Sequence, residues 1–296
     1  MEKKGEMMMH RKFGMQTQAV AGVIEALLMV ALVSIVISMI QLIYIPQVME
    51  QREAEHMDQV FNQFSSLKSM MDVQATTRSS APISSMITLG SKELPYFITA
   101  KATGELSTKQ DSAFKITLNP PPASLPSGTV PLTSVEYFAD NSYFVDQSYV
   151  LEGGGIIVKQ SEGNSVMRAD PSISSVNNTN SITIHVDFLH VVAIPGKNST
   201  YGDGKCFIRT NYSSNRSYVD SIPSGGYIRI YTQYLNAWNE SLHSILGIYD
   251  INGCIHINVV GTQPTGYIEI LPGTKDILLQ LNVIDIFAQI GPGWIK

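Results

Sequence analysis

The sequence predicts a mainly β protein with a long N-terminal α-helix: a transmembrane helix and helical stalk followed by an extracellular β-sandwich-like head. Three features predict it. A long apolar run, AVAGVIEALLMVALVSIVISMIQLIYI, covers residues 19–45. An amphipathic segment follows at once. Beyond about residue 80, short alternating apolar runs are separated by Gly, Pro, Asn and Ser clusters.

The apolar run sets the first element. At about 1.5 Å per residue it is long enough to cross a hydrocarbon core of about 30 Å. It also exceeds the roughly 7–15 apolar residues of a secretory signal. Membrane lipid is therefore its expected partner. Residues 1–18 form a basic leader, with Lys3, Lys4, Arg11 and Lys12 against Glu2 and Glu6. After the span, Glu50, Glu53, Glu55 and Asp58 surround Arg52. Excess Lys and Arg marks the cytoplasmic side, which predicts a single-pass cell-membrane protein with its N-terminus inside and its C-terminal domain outside. Glu25 lies within the run, where an acid at the bilayer centre costs about 2.5–3.5 kcal/mol. It pairs with a neighbouring helix, sits as a tolerated interfacial acid, or relays protons.

Pro46 is expected to end or kink the span. Over residues 46–75, Met57, Phe61, Phe64, Leu67 and Met71 recur three or four apart, as one face of a helix requires. This stalk helix should set its stripe against the head or another copy. The turn-rich run ATTRSSAPISS then opens a head spanning residues 80–296.

Inside the head, Ile182, Ile184, Val186 and Phe188 alternate with polar residues, as do Ile255, Ile257 and Val259, and Leu279, Leu281 and Val283. Period two with one apolar face predicts half-buried antiparallel strands. VLEGGGIIVKQ predicts a hairpin turning through Gly153, Gly154 and Gly155. Leu235, Trp238, Leu242 and Leu246 stand at helical spacing, so a short helix should cover a sheet. The Pro-rich stretch LNPPPASLPSGTVPL is a stiff connection that either subdivides the head near 119–132 or loops within it.

Composition narrows the chemistry. A net charge of -5 offers no basic field for nucleic acid. No Gly-rich phosphate loop, nucleophile elbow or His-Glu zinc helix is present, so no enzyme, cofactor or metal site is expected. His185 and Asp187 share a strand face, but His190 has the opposite parity and His256 is remote, so ligands do not converge. Cys206 and Cys254 each sit beside a strand-like run and should pair in an oxidising compartment, adding about 2–4 kcal/mol. Asn177, Asn198, Asn211, Asn215 and Asn239 stand in Asn-x-Ser/Thr sequons, each implying an exposed loop and together a glycoprotein.

The leader ending HRKFG, the run MQTQAVAGVIEALLMVALVSIVIS and the helix QREAEHMDQVFNQFSSLKSM together resemble archaeal type IV pilin-like surface proteins. The chain is also similar to uncharacterised archaeal membrane-anchored proteins, through MITLGS and LNPPPASLPSG. The pilin resemblance implies leader removal by a prepilin peptidase and a filament core of bundled apolar helices. One departure stands out: Phe13 separates Lys12 from Gly14, where a basic residue directly before Gly or Ala is usual. The expected function is a non-enzymatic archaeal cell-surface structural protein. It is either a pilin-like subunit assembling as a homo-oligomer through its N-terminal helix or a single-span anchored β-head. The alternative is a monomeric membrane-anchored adhesin or receptor head that binds a surface ligand. An extracellular hydrolase would need a pocket joining two acids or a Ser–His pair.

Overall fold

Helix comes first, and all the strands follow it. In this computed structural model the described residues are 3–91, 102–109, 113–161 and 163–291, with side chains from Val20 onward. The chain forms two compact units, Met1–Gln51 and Arg52–Lys296. From Lys3 on, the backbone of the basic leader lies in the first helix, but its side chains, including those at the Lys12–Phe13–Gly14 junction, fall outside what is described.

Helix α1 (Lys3–Met39) passes through a π-helical turn at Ile40–Tyr44 into α2 (Ile45–Thr77). The expected break at Pro46 does not occur. Instead the Ile45 N–H bonds to the Ile40 carbonyl, five residues back. A π-turn is one of the local adjustments by which a helix accommodates a residue lacking an N–H.

Within the larger unit, three sheets are built from sixteen strands among the described residues. The central sheet runs β1 (Ile83–Thr88), β12 (Lys205–Ile222), β16 (Asp276–Ile290), β10 (Ser181–Ala193), β9 (Ser172–Asn177). A six-stranded sheet runs β11 (Ser199–Gly202), β2 (Thr103–Lys109), β5 (Ser134–Asp140), β6 (Gln147–Glu152), β7 (Gly155–Gln160), β8 (Ser165–Ala169). The third runs β14 (Ile255–Val260), β15 (Tyr267–Pro272), β13 (Tyr227–Tyr231), β3 (Lys115–Asn119), β4 (Thr129–Pro131).

The expectation of purely antiparallel pairing needs one correction. β10 and β16, two of the alternating runs, lie side by side in parallel, with Ile182 opposite Ile277 and Ala193 opposite Ala288. Alternation reports a half-buried face and says nothing of direction, so the sequence could not separate the two cases. The hairpin forms as expected between β6 and β7, with its turn confined to Gly153 and Gly154. Both have positive φ, 58° and 90°, which a type I′ turn demands and glycine permits. The Pro-rich stretch joins the paired strands β3 and β4, so it is a loop inside one sheet.

Helix α3 (Leu235–Ile251) contacts β8 and β14 and buries Leu235, Trp238, Leu242 and Leu246, the four positions that predicted it. The head was expected to start at about residue 80, yet the compact unit begins at Arg52. The reason is the α2 stripe. Met57, Phe64, Leu67 and Met71 are all 2% exposed or less and share a core with Ile87, Leu106, Tyr137 and Ile208. Phe61 is packed at its margin. The stripe is therefore spent on the chain's own sheets.

Two hydrophobic cores result, and the long central strands serve both. Ile182 through Phe188 and Ile277 through Val283 face the core shared with α3 and the third sheet. Leu189, Val191, Ile286 and Ala288 face the core shared with α2 and the six-stranded sheet. The buried face thus switches at Phe188–Leu189 and Val283–Ile284, because neighbouring strand residues point to opposite faces. In β12 a bulge between Tyr212 and Ser214 makes the same switch.

Removing a fully buried ring from the α2 stripe should cost about 3–5 kcal/mol. Phe64→Ala is expected to lower the urea midpoint of the full chain in nanodiscs by that measure, whereas Val73→Ala, at a 55% exposed site, should change stability by under about 0.5 kcal/mol.

Candidate functional site

Residues 20–44 are exposed without exception. Seventeen large apolar side chains, from Val20 to Tyr44, lie between 37% and 77% exposed. Each fully buried side chain of this kind is worth about 1.5–3 kcal/mol, so leaving them in water would cost tens of kcal/mol. That exceeds the roughly 5–15 kcal/mol by which a whole domain is stable. One helix, Val20–Thr77, is long and apolar enough to cross a membrane. Glu25 is exposed on the same surface, and the structure gives it no partner among the described residues.

The larger unit holds several buried polar arrangements. Glu53 is fully buried, and its carboxylate accepts the backbone N–H groups of Ser142, Tyr143 and Phe144 at 3.1, 2.7 and 2.6 Å. A residue predicted to mark membrane topology thus has a structural role as well. His56 and Tyr137 are 3.1 Å apart, and the Tyr137 hydroxyl donates to the Leu89 carbonyl at 2.7 Å. Burial lowers the His56 pKa and raises that of Tyr137, with Tyr149 adding to the latter.

A second network stands where the central sheet switches faces. The Thr133 hydroxyl meets His190 Nε2 at 3.0 Å, and His190 Nδ1 meets Asp285 Oδ1 at 2.9 Å. Arg216 donates to the same oxygen at 2.7 Å, and the Ser214 hydroxyl to Asp285 Oδ2 at 2.6 Å. Burial alone would push the Asp285 carboxyl up, but hydrogen bonds from Arg216, Ser214 and His190 outweigh it and hold the carboxyl below its usual range. Sequence reasoning missed this cluster. The opposite parity of His190 suggested dispersal, whereas that parity is what sets His190 beside Asp285 across the parallel pair. Hydroxyl, imidazole and carboxylate connect as a nucleophile, base and orienting group would. Thr133 is only 8% exposed, and Arg216 sits 3.1 Å from the same His190 nitrogen that meets Asp285, so the cluster is a polar network buried at Thr133 and Asp285 and open to solvent at Ser214 and Arg216.

Two cavities are formed by described residues of this unit and bear on chemistry. The smaller, about 270 Å³, includes both Glu136 and Glu152. Glu152 accepts hydrogen bonds from Trp238 Nε1 at 2.7 Å and Thr232 at 2.6 Å, while Lys109 lies 3.5 Å from Glu136. Each carboxylate is engaged by the chain's own donors. The larger, about 480 Å³, lies between α2 and strands β6, β7 and β8. Phe61 and Tyr149 line it with ring centroids 6.0 Å apart, and the Arg168 guanidinium lies 5.3 Å from the Phe61 centroid. Tyr149 donates to the Met57 carbonyl at 3.0 Å, and its pKa is pushed up to about 12 by burial, with Asp58 adding and Arg168 opposing.

The remaining predicted sites are scattered. The expected disulfide is not formed. Both cysteines are free thiols, Cys206 within the α2 core and Cys254 against the α3 core. The sequons are not all in loops. Asn198 lies in an exposed bend, Asn177 ends β9, Asn211 and Asn215 lie within β12, and Asn239 is in α3. Asn239 is half-buried, its side-chain oxygen is enclosed, and the Ser241 of its sequon is buried and bonded to Asp170, which makes it the poorest acceptor. Among the described residues no group of three or more His, Cys, Asp or Glu is placed to hold a metal ion.

The comparisons with known proteins add no relative: no family model, curated protein or solved structure matches the chain.

Acid should destabilise the larger unit. For His56, lowered from 6.5 by burial, the unfolded chain takes the proton first, so stability falls as pH drops below that value. For Asp285, lowered from 3.8, stability is present above that value and lost as pH falls through the folded pKa. His56→Gln, which cannot titrate, is expected to flatten the stability–pH slope between about pH 6.5 and 5 in urea unfolding, leaving the loss below about pH 4 in place.

Proposed function

We propose that this chain is a membrane-anchored cell-surface structural protein with no catalytic role. In this reading residues 20–44 lie in lipid or against sister helices, the basic leader faces the cytoplasm, and the β-rich unit is displayed outside. The observation that carries the reading is the uniformly exposed apolar surface of residues 20–44. Charge placement supports the orientation, since Lys3, Lys4, Arg11 and Lys12 precede the span and acids follow it. Resemblance of residues 10–70 to archaeal type IV pilin-like proteins supports assembly through that helix, with Glu25 as the pairing residue. A non-catalytic role is supported by engagement of Glu136, Glu152 and Asp285 with donors from the same chain. Asn198 is the sequon most open to glycosylation.

The α2 stripe is already buried, so assembly has to run through residues 20–44 or the outer surface of the β-rich unit. Protease applied to intact cells carrying an epitope-tagged full-length chain should remove the C-terminal epitope and leave a membrane-embedded N-terminal fragment. Protection of the epitope until the cells are lysed would overturn the orientation. Electron microscopy of sheared surface material should show labelled fibres if the helices bundle, and label retained on the envelope if the chain is a plain anchor.

A further inference from the structure

The 480 Å³ cavity between α2 and strands β6–β8 is of a size typical of small-molecule sites, about 300–1,000 Å³. Its wall joins apolar surface to a few polar groups, which is the usual make-up of such a site. Phe61, Phe144 and Tyr149 supply the aromatic part, with Val158 and Val166 beside them. Gln147, Gln160 and Asn164 supply three carboxamides, and Asp58 and Arg168 supply one charge of each sign.

Three of these groups make no hydrogen bond or ion pair with a described residue: Gln147, which is enclosed, and Asp58 and Arg168, which are exposed at the cavity wall. Gln147 is only 9% exposed, yet its side chain makes no hydrogen bond with a described residue. Its carboxamide opens to the cavity, so whatever enters there is what answers it. Asp58 and Arg168 line the same cavity, both act on Tyr149, and neither is in an ion pair with a described residue. The Arg168 guanidinium lies 5.3 Å from the Phe61 ring centroid and makes no hydrogen bond with a described residue, so its N–H groups are available as donors.

We infer that this cavity is a binding site for a neutral saccharide. A sugar presents hydroxyls that donate and accept at once, so one ligand can answer a carboxylate, a guanidinium and three carboxamides. Its C–H faces suit a wall that includes the aromatic rings of Phe61, Phe144 and Tyr149. Asp58 and Arg168 contribute one charge of each sign, so together they add no net charge that would select an anion or a cation. The site goes beyond anchorage and does not depend on it. It would give the displayed unit a recognition function even if the helix never polymerises.

Saturation-transfer NMR on the full chain in lipid nanodiscs tests this, with cellobiose, trehalose and N,N′-diacetylchitobiose as probes and glycine betaine as the zwitterionic control. Nanodiscs avoid sugar-headed detergents. At least one saccharide is expected to show transfer to its ring protons, with none for betaine. Asp58→Ala and Arg168→Ala, both at exposed positions and compatible with folding, should each weaken that binding at least tenfold. Gln147→Met, of similar length and unable to hydrogen-bond as a carboxamide does, should weaken it too, with an unchanged urea midpoint showing that the fold is intact. Absence of transfer from all three sugars at 10-millimolar order overturns the site. So does binding of betaine alone, or saccharide binding that survives both Asp58→Ala and Arg168→Ala.

Discussion

The surface of one helix makes two incompatible demands, and the rest of the molecule answers to them. Over residues 20–44 every side chain is exposed and nearly every one is apolar, so water is the wrong solvent on all sides. Past Pro46 only one face is apolar, and that face is buried. The hydrophobic effect acts on both segments, but it calls for different partners. An all-round apolar rod requires an apolar medium, and a one-sided stripe requires a sheet. The helix continues through the π-turn at Ile40–Tyr44 between these segments.

In the β-rich unit the equivalent economy is the face switch of the central sheet. β10, β12 and β16 are long strands of 13, 18 and 15 residues, and each is buried on one face at one end and on the opposite face at the other. That lets a single sheet close two cores. The switch leaves a place where the first face ends, and polar groups gather there: Asp285 follows Val283, and His190 follows Phe188. Ser214 and Arg216 arrive beside them because the β12 bulge resets which residues face that way. A charged cluster that resembles catalytic connectivity therefore has a sufficient structural origin, since a buried carboxylate must be paired to be tolerated.

Much of this was legible in the sequence, and the failures are physical ones. The apolar span, the α2 stripe, the Gly153–Gly154 hairpin and α3 all declare themselves through periodicity or turn chemistry. Strand direction does not, because Ile182–Phe188 looks the same paired parallel or antiparallel. Adjacent apolar pairs in VDFLHVV and LNVIDIF were the visible sign of the face switch, but only long-range pairing gives that slip a meaning. Cys206 and Cys254 misled for the same reason: strand neighbours cannot be assigned from local pattern, and these two belong to different cores. The cavity beside Phe61 draws on helix α2 and three strands far along the chain, so no local motif could announce it.

The proposed anchorage depends on where the apolar rod resides. Spin labels placed singly at Val30 and at Val73 of the full chain in lipid nanodiscs would report this by collision with oxygen, which prefers lipid, and with a water-soluble nickel chelate. The account predicts high oxygen and low nickel accessibility at Val30, and the reverse at Val73. A Val30 label that collides freely with nickel, or that neither reagent reaches, would contradict it.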